Sequence, residues 1–407
     1  MARRRPARIV AVNRYYWPDH SATSQLLTDL LEHLAAQGRP VVAITSRQRY
    51  DRPEALLPVD EAHAGVTIRR LWSTRFGRAN LVGRALDYLS FYASALGTLL
   101  FEVRRGDTIL ALTDPPLLSV VAGAVAAVKR ARLVNWCQDL FPEIAERLGV
   151  PLVRGSVARA LLALRNRSFR AAHANVVLCD TMASHLRRQQ VPLEKTVIVH
   201  NWADTGIRPV PREQNPLRRE WQLADRFVIG YSGNLGRAHD ETALLELIRR
   251  LKDHDDVAFL FIGGGAGLER LKTLAAEAAL ANVEFRAYQP RERLSESLSV
   301  PDMHLVSLRA EMEGLIMPSK IYGILAAGRP TLFLGAPHGA IQRLVDTFGA
   351  GAPAVGGDVA MAAEWIVANR HNAALLAELG GAARRAYETA FNRTVSLGHF
   401  ERVLTAA

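Results

Sequence analysis

The stretch Leu305–Pro330, LVSLRAEMEGLIMPSKIYGILAAGRP, gives the first indication of the fold and of a ligand site. An apolar run at 303–308 predicts a buried strand, and an acidic loop that contains glycine follows it. Ser319 then predicts a capped helix start, and Pro330 follows the end of a short apolar helix. This order is typical of a parallel sheet. The helix N-terminus, with Lys320 in its first turn, offers amides that suit an anion, although an ordinary strand–helix connection has the same pattern.

Length and composition restrict the class of protein. The chain has 407 residues, too many for one compact core, so we expect two domains. With 49% hydrophobic and 22% charged residues, it has the composition of a folded soluble protein. Cys137 and Cys179 supply neither a disulfide framework nor metal-ligand spacing, and they fit a reducing cytoplasm. The apolar part of the N-terminus is too short for a signal sequence.

The net charge of +11 is unevenly distributed. Residues 1–205 contain 28 Lys and Arg against 17 Asp and Glu, whereas residues 206–407 contain 23 of each. The first half is therefore basic and the second neutral. A basic half is suited to nucleic acid, to an anionic membrane or to a phosphorylated ligand.

Strand and helix patterns alternate through the first half and predict a doubly wound parallel sheet. RIVAV at 8–12 and PVVAIT at 40–45 have the pattern of buried strands on either side of a helix at about 22–37. The first loop contains no glycine, which argues against a dinucleotide-binding enzyme. Asp139 and Glu143 follow a strand at 132–136, at the end of the sheet where such folds bind ligands.

A helix at about 81–103, rich in Leu, Tyr and Phe, has arginines at its start: Arg75, Arg78 and Arg84. An apolar helix flanked by arginines fits a membrane surface, but it also fits a position facing the core of the domain. The apolar run at 117–128 is too short to span a bilayer and predicts a buried helix.

The second half repeats the strand–helix pattern after a linker at 204–214. FVIGYSGN at 227–234 predicts a strand whose end carries Gly233 and Asn234. A second strand leads into glycines at 263–267, which suit a phosphate or sugar, or else a tight turn. A third strand, at 283–286, ends just before Tyr288.

Four segments in this order resemble the retaining glycosyltransferases of family 4, which have the GT-B fold. The segments are YYWPDHSATSQLLTDLLEHLAAQG, WCQDLFPE, YSGNLGRAHD and EGLIMPSKIYGILAAGRP. They resemble the family's first loop and helix, the acidic loop after its fourth strand, the opening of its nucleotide domain and its donor-binding segment. The resemblance covers nearly the whole chain and is strongest to transferases of exopolysaccharide, colanic-acid and O-antigen assembly, including the L-fucosamine transferase type.

The resemblance implies two doubly wound Rossmann-like domains facing a cleft. Residues 1–205 would form an acceptor-binding, membrane-facing domain and residues 206–385 a nucleotide-sugar-binding domain. Residues 386–407 would form a helix that packs back on the first domain. The implied partners are a nucleotide-sugar, with a UDP-sugar favoured, a lipid-linked glycan and the anionic inner face of the cytoplasmic membrane, and no nucleic acid.

No cofactor and no metal are expected, because no Asp-x-Asp motif stands at a strand end. The run at 253–256, Asp-His-Asp-Asp, has the pattern of a solvated turn. The difficult part of the reaction is then the stabilisation of the leaving diphosphate by fixed positive charge.

The chain departs from the family pattern at several positions. The usual glycine pair of the first loop is replaced by Ala22-Thr23-Ser24, and the usual phosphate-binding Arg and Lys by Asn234 and His239. Arg237 and Lys320 remain as the nearby cations, and we infer that they hold the diphosphate. The second family glutamate, a ribose ligand, is replaced by Gly323, for which Glu311 is the candidate substitute.

The catalytic candidates are Asp139, on the acceptor side, and Glu313, on the donor sugar. The alternatives are a helix-capping role for Asp139 and a solvated loop position for Glu313. The donor-binding candidates share positions at strand ends or helix starts: Ser21, Thr23, Gly233, Asn234, Arg237, Gly263, Gly264, Tyr288, Gly314, Ser319 and Lys320. Two other functions fit the same fold, a nucleotide-sugar 2-epimerase and a non-catalytic nucleotide-sugar-binding subunit.

Overall fold

The computed structural model describes residues 7–50, 54–77 and 81–405, so Arg78 lies outside the described residues. The chain divides into two compact units, each built around its own parallel sheet. Unit 1 is Met1–His200 together with Leu397–Ala407, and unit 2 is Asn201–Ser396. The prediction of two doubly wound Rossmann-like α/β domains is confirmed.

The sheet of unit 1 has the strand order β3-β4-β2-β1-β5-β6-β7-β8 over the described residues. All neighbours are parallel except β3, which pairs antiparallel with β4 at the edge. The strands are β1 (Ile9–Val12), β2 (Val41–Ser46), β3 (Asp60–His63), β4 (Val66–Leu71), β5 (Thr108–Ala111), β6 (Arg132–Trp136), β7 (Ala174–Val177) and β8 (Thr196–Ile198).

The helices of unit 1 cover the sheet. They are α1 (Ala22–Ala36), α2 (Leu81–Glu102), α3 (Leu118–Lys129), α4 (Glu143–Arg147), α5 (Gly155–Ala171) and α6 (Asp180–Arg188). Right-handed crossovers carry the chain in one direction from β4 through β5 and β6 to β7, which places α2, α3 and α5 in one layer. In agreement, α3 contacts both α2 and α5.

The sheet of unit 2 is wholly parallel, in the order β11-β10-β9-β12-β13. Its strands are β9 (Phe227–Asn234), β10 (Val257–Gly264), β11 (Val283–Arg286), β12 (Met303–Ser307) and β13 (Thr331–Leu334). Its helices are α7 (Pro216–Glu220), α8 (Glu241–Arg250), α9 (Ala266–Glu277), α10 (Leu294–Ser299), α11 (Lys320–Ala326), α12 (Ala340–Phe348), α13 (Val359–Asn369) and α14 (Ala373–Ala386).

The last helix, α15 (Arg393–Thr405), follows a π-helical turn at Tyr387–Phe391. From Leu397 onward its residues belong to unit 1. There the ring of Phe400 contacts that of Trp136, with centroids 4.4 Å apart, and Arg132 Nη2 donates a hydrogen bond to the Leu404 carbonyl at 2.8 Å.

Most predicted elements agree with the structure to within two residues, because strands of a parallel sheet are apolar on both faces. β3 was not predicted, since DEAH is a polar edge strand. The helices that were not predicted are α4, α5, α7, α10 and α12. No helix among the described residues is long and apolar enough to cross a bilayer.

Candidate functional site

In unit 2, the ends of β9 and β10 approach each other closely. Gly233 pairs with Gly263, and Asn234 with Gly264. Gly263 has φ +144°, and a Cβ at this position would clash with the Gly233 carbonyl oxygen. At Gly265, with φ +112°, a Cβ would lie 2.7 Å from the Leu235 carbonyl oxygen. The sequence left a ligand site and a tight turn open for these glycines. In the structure Gly263 lies at the end of β10 and Gly265 directly before α9, where the close approach of the β9 end leaves no room for a side chain.

Other candidates meet at this same edge of the sheet. A Cβ on Gly233, which has φ +118°, would lie 3.9 Å from Lys320 Cε. A Cβ on Gly264 would lie 3.4 Å from Cε2 of Tyr288, whose side chain is 61% exposed. The strand ends, an exposed aromatic ring and a lysine side chain therefore surround one small region of unit 2.

Lys320 is the main charged group of this region. Its ammonium group donates a hydrogen bond to the Tyr231 hydroxyl and lies 3.5 Å from the centre of that ring. Among the described residues no carboxylate forms an ion pair with Lys320. Burial lowers the pKa of Lys320 well below its usual range. A partly buried ammonium without a counter-ion attracts an anion, because pairing offsets its lost hydration.

His239 does not act as a second cation. Burial and the nearby Lys320 charge lower the pKa of His239 to about 3, so the ring is neutral. Its Nδ1–H donates to the Ser307 carbonyl oxygen, and the Asp240 N–H donates to Ser307 Oγ at 2.9 Å. These bonds fix the loop after β9 to the end of β12. Arg237 is exposed in the same loop.

Glu313 caps a helix in this structure. Its Oε1 accepts a hydrogen bond at 2.9 Å from the backbone N–H of Ala340, the first residue of α12. A Cβ on Gly339 would lie 2.5 Å from Glu313 Oε2, so only glycine leaves room for this carboxylate. Gly314, with φ +76°, turns the chain directly after it. Glu311 is exposed and pairs with Arg309 at 2.8 Å.

The predicted capping role of Ser319 is wrong. Its backbone is already helical, with φ −65° and ψ −17°, and its side chain makes no capping hydrogen bond. Since a capping side chain requires an extended backbone, α11 begins here without one.

Two donor candidates and one catalytic candidate belong to unit 1. Ser21 is the N-cap residue of α1, and its Oγ is buried with no hydrogen-bond partner among the described residues. Its backbone N–H donates to Asp19 Oδ1 at 2.8 Å, and Thr23 is half-buried in the first turn. The start of α1 therefore carries an unused hydroxyl.

Asp139 lies in the loop between β6 and α4. The residue is exposed to solvent, and it also lines a small cavity of about 20 Å³. Although the residue is exposed, desolvation by the protein atoms packed around its carboxylate, helped by the Asp114 carboxylate, raises the pKa of Asp139 to about 6. A carboxylate with a pKa near neutrality can exchange a proton with a substrate hydroxyl.

A buried network, which no local sequence pattern predicts, supports this loop. Glu143 Oε1 accepts hydrogen bonds from Arg165 Nη2 at 2.5 Å and from His185 Nε2 at 3.0 Å. Burial opposes ionisation, yet these two partners hold the pKa of Glu143 below its usual range. Glu143 therefore anchors the end of the loop that carries Asp139 to α5 and α6.

The described residues contain no group of three or more His, Cys, Asp or Glu side chains arranged to hold a metal ion. In the run at 253–256, Asp256 pairs with Arg370 Nε at 2.7 Å and with His371 at 3.1 Å. That carboxylate is therefore an ion-pair partner of the residues that follow α13.

Comparisons with known proteins identify the family of the chain. The family described as "Glycosyl transferase 4-like domain" matches residues 22–202, and "Glycosyl transferases group 1" matches residues 213–375. The probable glycosyltransferase WbjE of Pseudomonas aeruginosa is 31% identical over 252 residues, which cover 61% of this chain and 62% of that protein, less than two thirds of its length.

Two further relatives extend the match. The putative colanic acid biosynthesis glycosyl transferase WcaI of Escherichia coli is 24% identical over 82% of this chain and 84% of its own. The crystal structure of Anabaena HepE in complex with UDP and glucose superposes with a TM-score of 0.73 at 16% identity, covering 98% of this chain and all of that one; at this identity the likeness shows the fold. Since the two family matches together span most of both units, the chain belongs to glycosyltransferase family 4 and is a glycosyltransferase of the GT-B fold.

Proposed function

We propose that this protein transfers a sugar from a nucleotide-sugar, with a UDP-sugar favoured, to a hydroxyl of a lipid-linked glycan in cell-surface polysaccharide biosynthesis. The observation that carries the proposal is the partly buried ammonium of Lys320, which has no carboxylate partner among the described residues. The name of WcaI, a colanic acid transferase, supports the polysaccharide class, and the UDP bound to HepE supports the uridine base.

In the proposed reaction, the bond between the anomeric carbon and the diphosphate oxygen breaks, and a bond from the acceptor oxygen forms with retention. The diphosphate leaves with the negative charge, which Lys320 and the exposed Arg237 stabilise. No cofactor and no metal are proposed. Ser319 would supply a backbone N–H group at the start of α11. Gly314, Ser21 and Thr23 stay predicted donor-binding residues.

The donor sugar and base would occupy the strand ends beside Lys320. Tyr288 offers an exposed ring for stacking, and Gly264 leaves space next to it. Asn234 is exposed at the end of β9 and offers an amide for hydrogen bonds. Glu313 would contact a sugar hydroxyl through Oε2, the carboxylate oxygen that does not bond to Ala340.

On the acceptor side, Asp139 would orient the attacking hydroxyl or take up its proton. Its raised pKa of about 6 suits both roles, since the group is ionised at neutral pH and still basic enough to accept a proton. We place the enzyme on the inner face of the cytoplasmic membrane as a peripheral protein, because a lipid-linked acceptor is found there and unit 1 is basic.

The proposal is tested by incubating the purified protein with labelled UDP-sugars and bacterial membranes that contain lipid diphosphate glycans. Label in the extracted lipid, lost in Lys320→Met and kept in Lys252→Met on the exposed surface of unit 2, supports the transferase. A free epimerised nucleotide-sugar would establish the epimerase instead, and binding without turnover would establish the subunit. Anomeric coupling in the NMR spectrum of the product tests retention.

A further inference from the structure

The outer face of α2 carries an exposed apolar stripe from Val82 to Leu96. Its members, at 82, 86, 89, 93 and 96, are spaced three and four apart, and all are Val, Leu or Ala. The opposite face, with Phe91, packs in the core. Leu89 on the stripe is 60% exposed, and Phe101 at the end of the helix is 91% exposed. From Val82 to Leu96 the stripe is about 21 Å long. Such an apolar patch on a protein surface marks an interaction site.

A buried carboxylate holds two more exposed aromatic side chains next to this helix. Asp87, on the inner face of α2, accepts hydrogen bonds from Thr74 Oγ1 at 2.8 Å and from the backbone N–H groups of Phe76 at 2.9 Å and Gly77 at 3.0 Å. The segment after β4 is thereby fixed to the start of α2. It carries Trp72, which is 65% exposed, and Phe76, which is 60% exposed. The exposed Arg75 lies between them in the chain.

The third helix of the same layer, α5, supplies positive charge. It contains no acidic residue, and its exposed surface carries Arg159, Arg167 and Arg170 together with Leu164. Further exposed arginines follow α2, at Arg104 and Arg105. Within α2 and α3 the acidic side chains are Asp87, which is buried, and Glu102, which pairs with Arg8 and Arg69. The layer thus combines an apolar stripe with positive charge. Neither α3 nor α5 contains an acidic residue that would neutralise this charge.

We infer that the outer surface of α2 and α5, with the Trp72–Gly77 segment, is the face by which this protein binds an anionic lipid bilayer. The α2 stripe lies in the interface plane with its side chains among the acyl chains. Trp72 lies at the headgroup level, and the arginines of α5 and those after α2 pair with lipid phosphates. The charge favours lipid over a second copy of the chain, since two such basic surfaces would repel each other. The inference deepens the membrane location of the proposed function but needs no catalysis.

Sedimentation with vesicles tests it directly. The wild-type protein is expected to bind vesicles of phosphatidylcholine with phosphatidylglycerol more strongly than phosphatidylcholine alone, and less strongly as salt is raised. Leu89→Ser with Leu96→Ser should abolish binding to both. Arg167→Ala with Arg170→Ala should weaken binding to the anionic vesicles about 25-fold, because each arginine near the membrane surface contributes a factor of about five.

Matched substitutions on unit 2 provide the control. Arg219→Ala with Arg249→Ala removes two exposed arginines from α7 and α8 and should leave vesicle binding unchanged. UDP-induced thermal stabilisation, expected in every variant, shows that each is folded. Trp72 emission should shift to the blue on vesicles and the shift should be absent in Trp72→Phe.

Two results would overturn the inference. One is a wild-type dimer in lipid-free buffer that the Leu89/Leu96 substitutions dissociate, because a second copy would then cover the stripe. The other is the absence of vesicle binding in a wild-type protein that still transfers sugar to a detergent-solubilised acceptor. The second result leaves the transferase standing, so the two proposals fail separately.

Discussion

At the scale of single residues, Lys320 and Asp139 are both held in surroundings that disfavour their charge. Burial lowers the pKa of Lys320, and local desolvation with the nearby Asp114 charge raises the pKa of the exposed Asp139. Each therefore costs the folded protein stability that a neutral side chain would not, and such groups concentrate at functional sites. The sequence pointed to both residues by position, but their pKa shifts come from packing that local pattern does not contain.

Lys320→Met should change stability and donor binding in opposite directions. A lowered folded-state pKa means that the charged lysine destabilises the fold at neutral pH, and this cost disappears as pH rises toward the unfolded pKa of about 10. The variant should therefore have a higher Tm without ligand at pH 7 and bind UDP about 10–100-fold more weakly. Thermal shift and calorimetric titration measure both, and Lys252→Met is the control. Unchanged UDP affinity would remove Lys320 from the donor site.

Asp139→Asn should remove the acid limb of the pH–activity profile. If the carboxylate acts in its ionised form, wild-type activity falls as pH drops through about 6, whereas the variant is at least about 100-fold less active and shows no such limb. Steady-state rates measured between about pH 5 and 8, a range on both sides of the Asp139 pKa of about 6, test this prediction. An active variant with the wild-type limb would leave Asp139 a structural role.

The same substitution makes a prediction about stability. The raised folded-state pKa means that the Asp139 carboxylate is least favourable above about pH 6, and that its cost vanishes below the unfolded pKa. Asp139→Asn should therefore be more stable than wild type at neutral pH by about 1 kcal/mol, a small effect because solvent screens the side chain. Chemical denaturation at neutral pH and below pH 4, where the difference should close, provides the test.

At the scale of elements, the junction of β10 and α9 depends on a close backbone approach. Gly263→Ala places a Cβ against the Gly233 carbonyl at φ +144° and should destabilise the fold by about 3 kcal/mol or more. Gly97→Ala, in open space on α2, should instead stabilise it by about 1 kcal/mol. Urea denaturation compares them, and equal effects would contradict the packing role of Gly263.

Glu313 joins two elements through the N-terminus of α12. Glu313→Ala should cost about 1 kcal/mol of stability by removing the acceptor of the Ala340 N–H, while Glu313→Gln retains an acceptor and should cost less. If Glu313 also binds the donor sugar, Glu313→Gln will raise KM far more than it lowers Tm. Parallel losses in both variants would leave only the capping role.

The elements themselves were largely predictable, and the exceptions have physical causes. Buried strands such as β1 and β9 are apolar runs bounded by turn residues, so their pattern predicts them. β3 is polar because it lies at an edge, and α5 interrupts its apolar positions with arginines. The cap on α12 comes from Glu313, 27 positions earlier in the chain, so no local cap signal exists.

At the scale of the whole molecule, the two units differ in charge and in exposed apolar surface. Unit 1 is basic and carries the α2 stripe, whereas unit 2 is neutral and gathers Gly233, Tyr288 and Lys320 at one sheet edge. The charge asymmetry was visible in the sequence. The sequence predicts that α2 has an apolar face, because periodicity marks such a face. It does not predict the exposed stripe, because periodicity does not tell whether an apolar face meets the core or solvent.

The supporting network of the acceptor loop shows what the sequence does not contain. Glu143, Arg165 and His185 lie up to 42 positions apart and meet only because α4, α5 and α6 pack together in unit 1. The candidate donor and acceptor residues could be predicted from strand ends, because doubly wound sheets bind their ligands at the carboxyl ends of the strands.

A crystal structure of the protein with UDP tests the central claim most directly. The account predicts the diphosphate within hydrogen-bond distance of Lys320 Nζ, at the ends of β9 and β12, with the uracil or ribose near Tyr288 and Gly264. A diphosphate bound away from these strand ends, with Lys320 still bonded only to Tyr231, would contradict it.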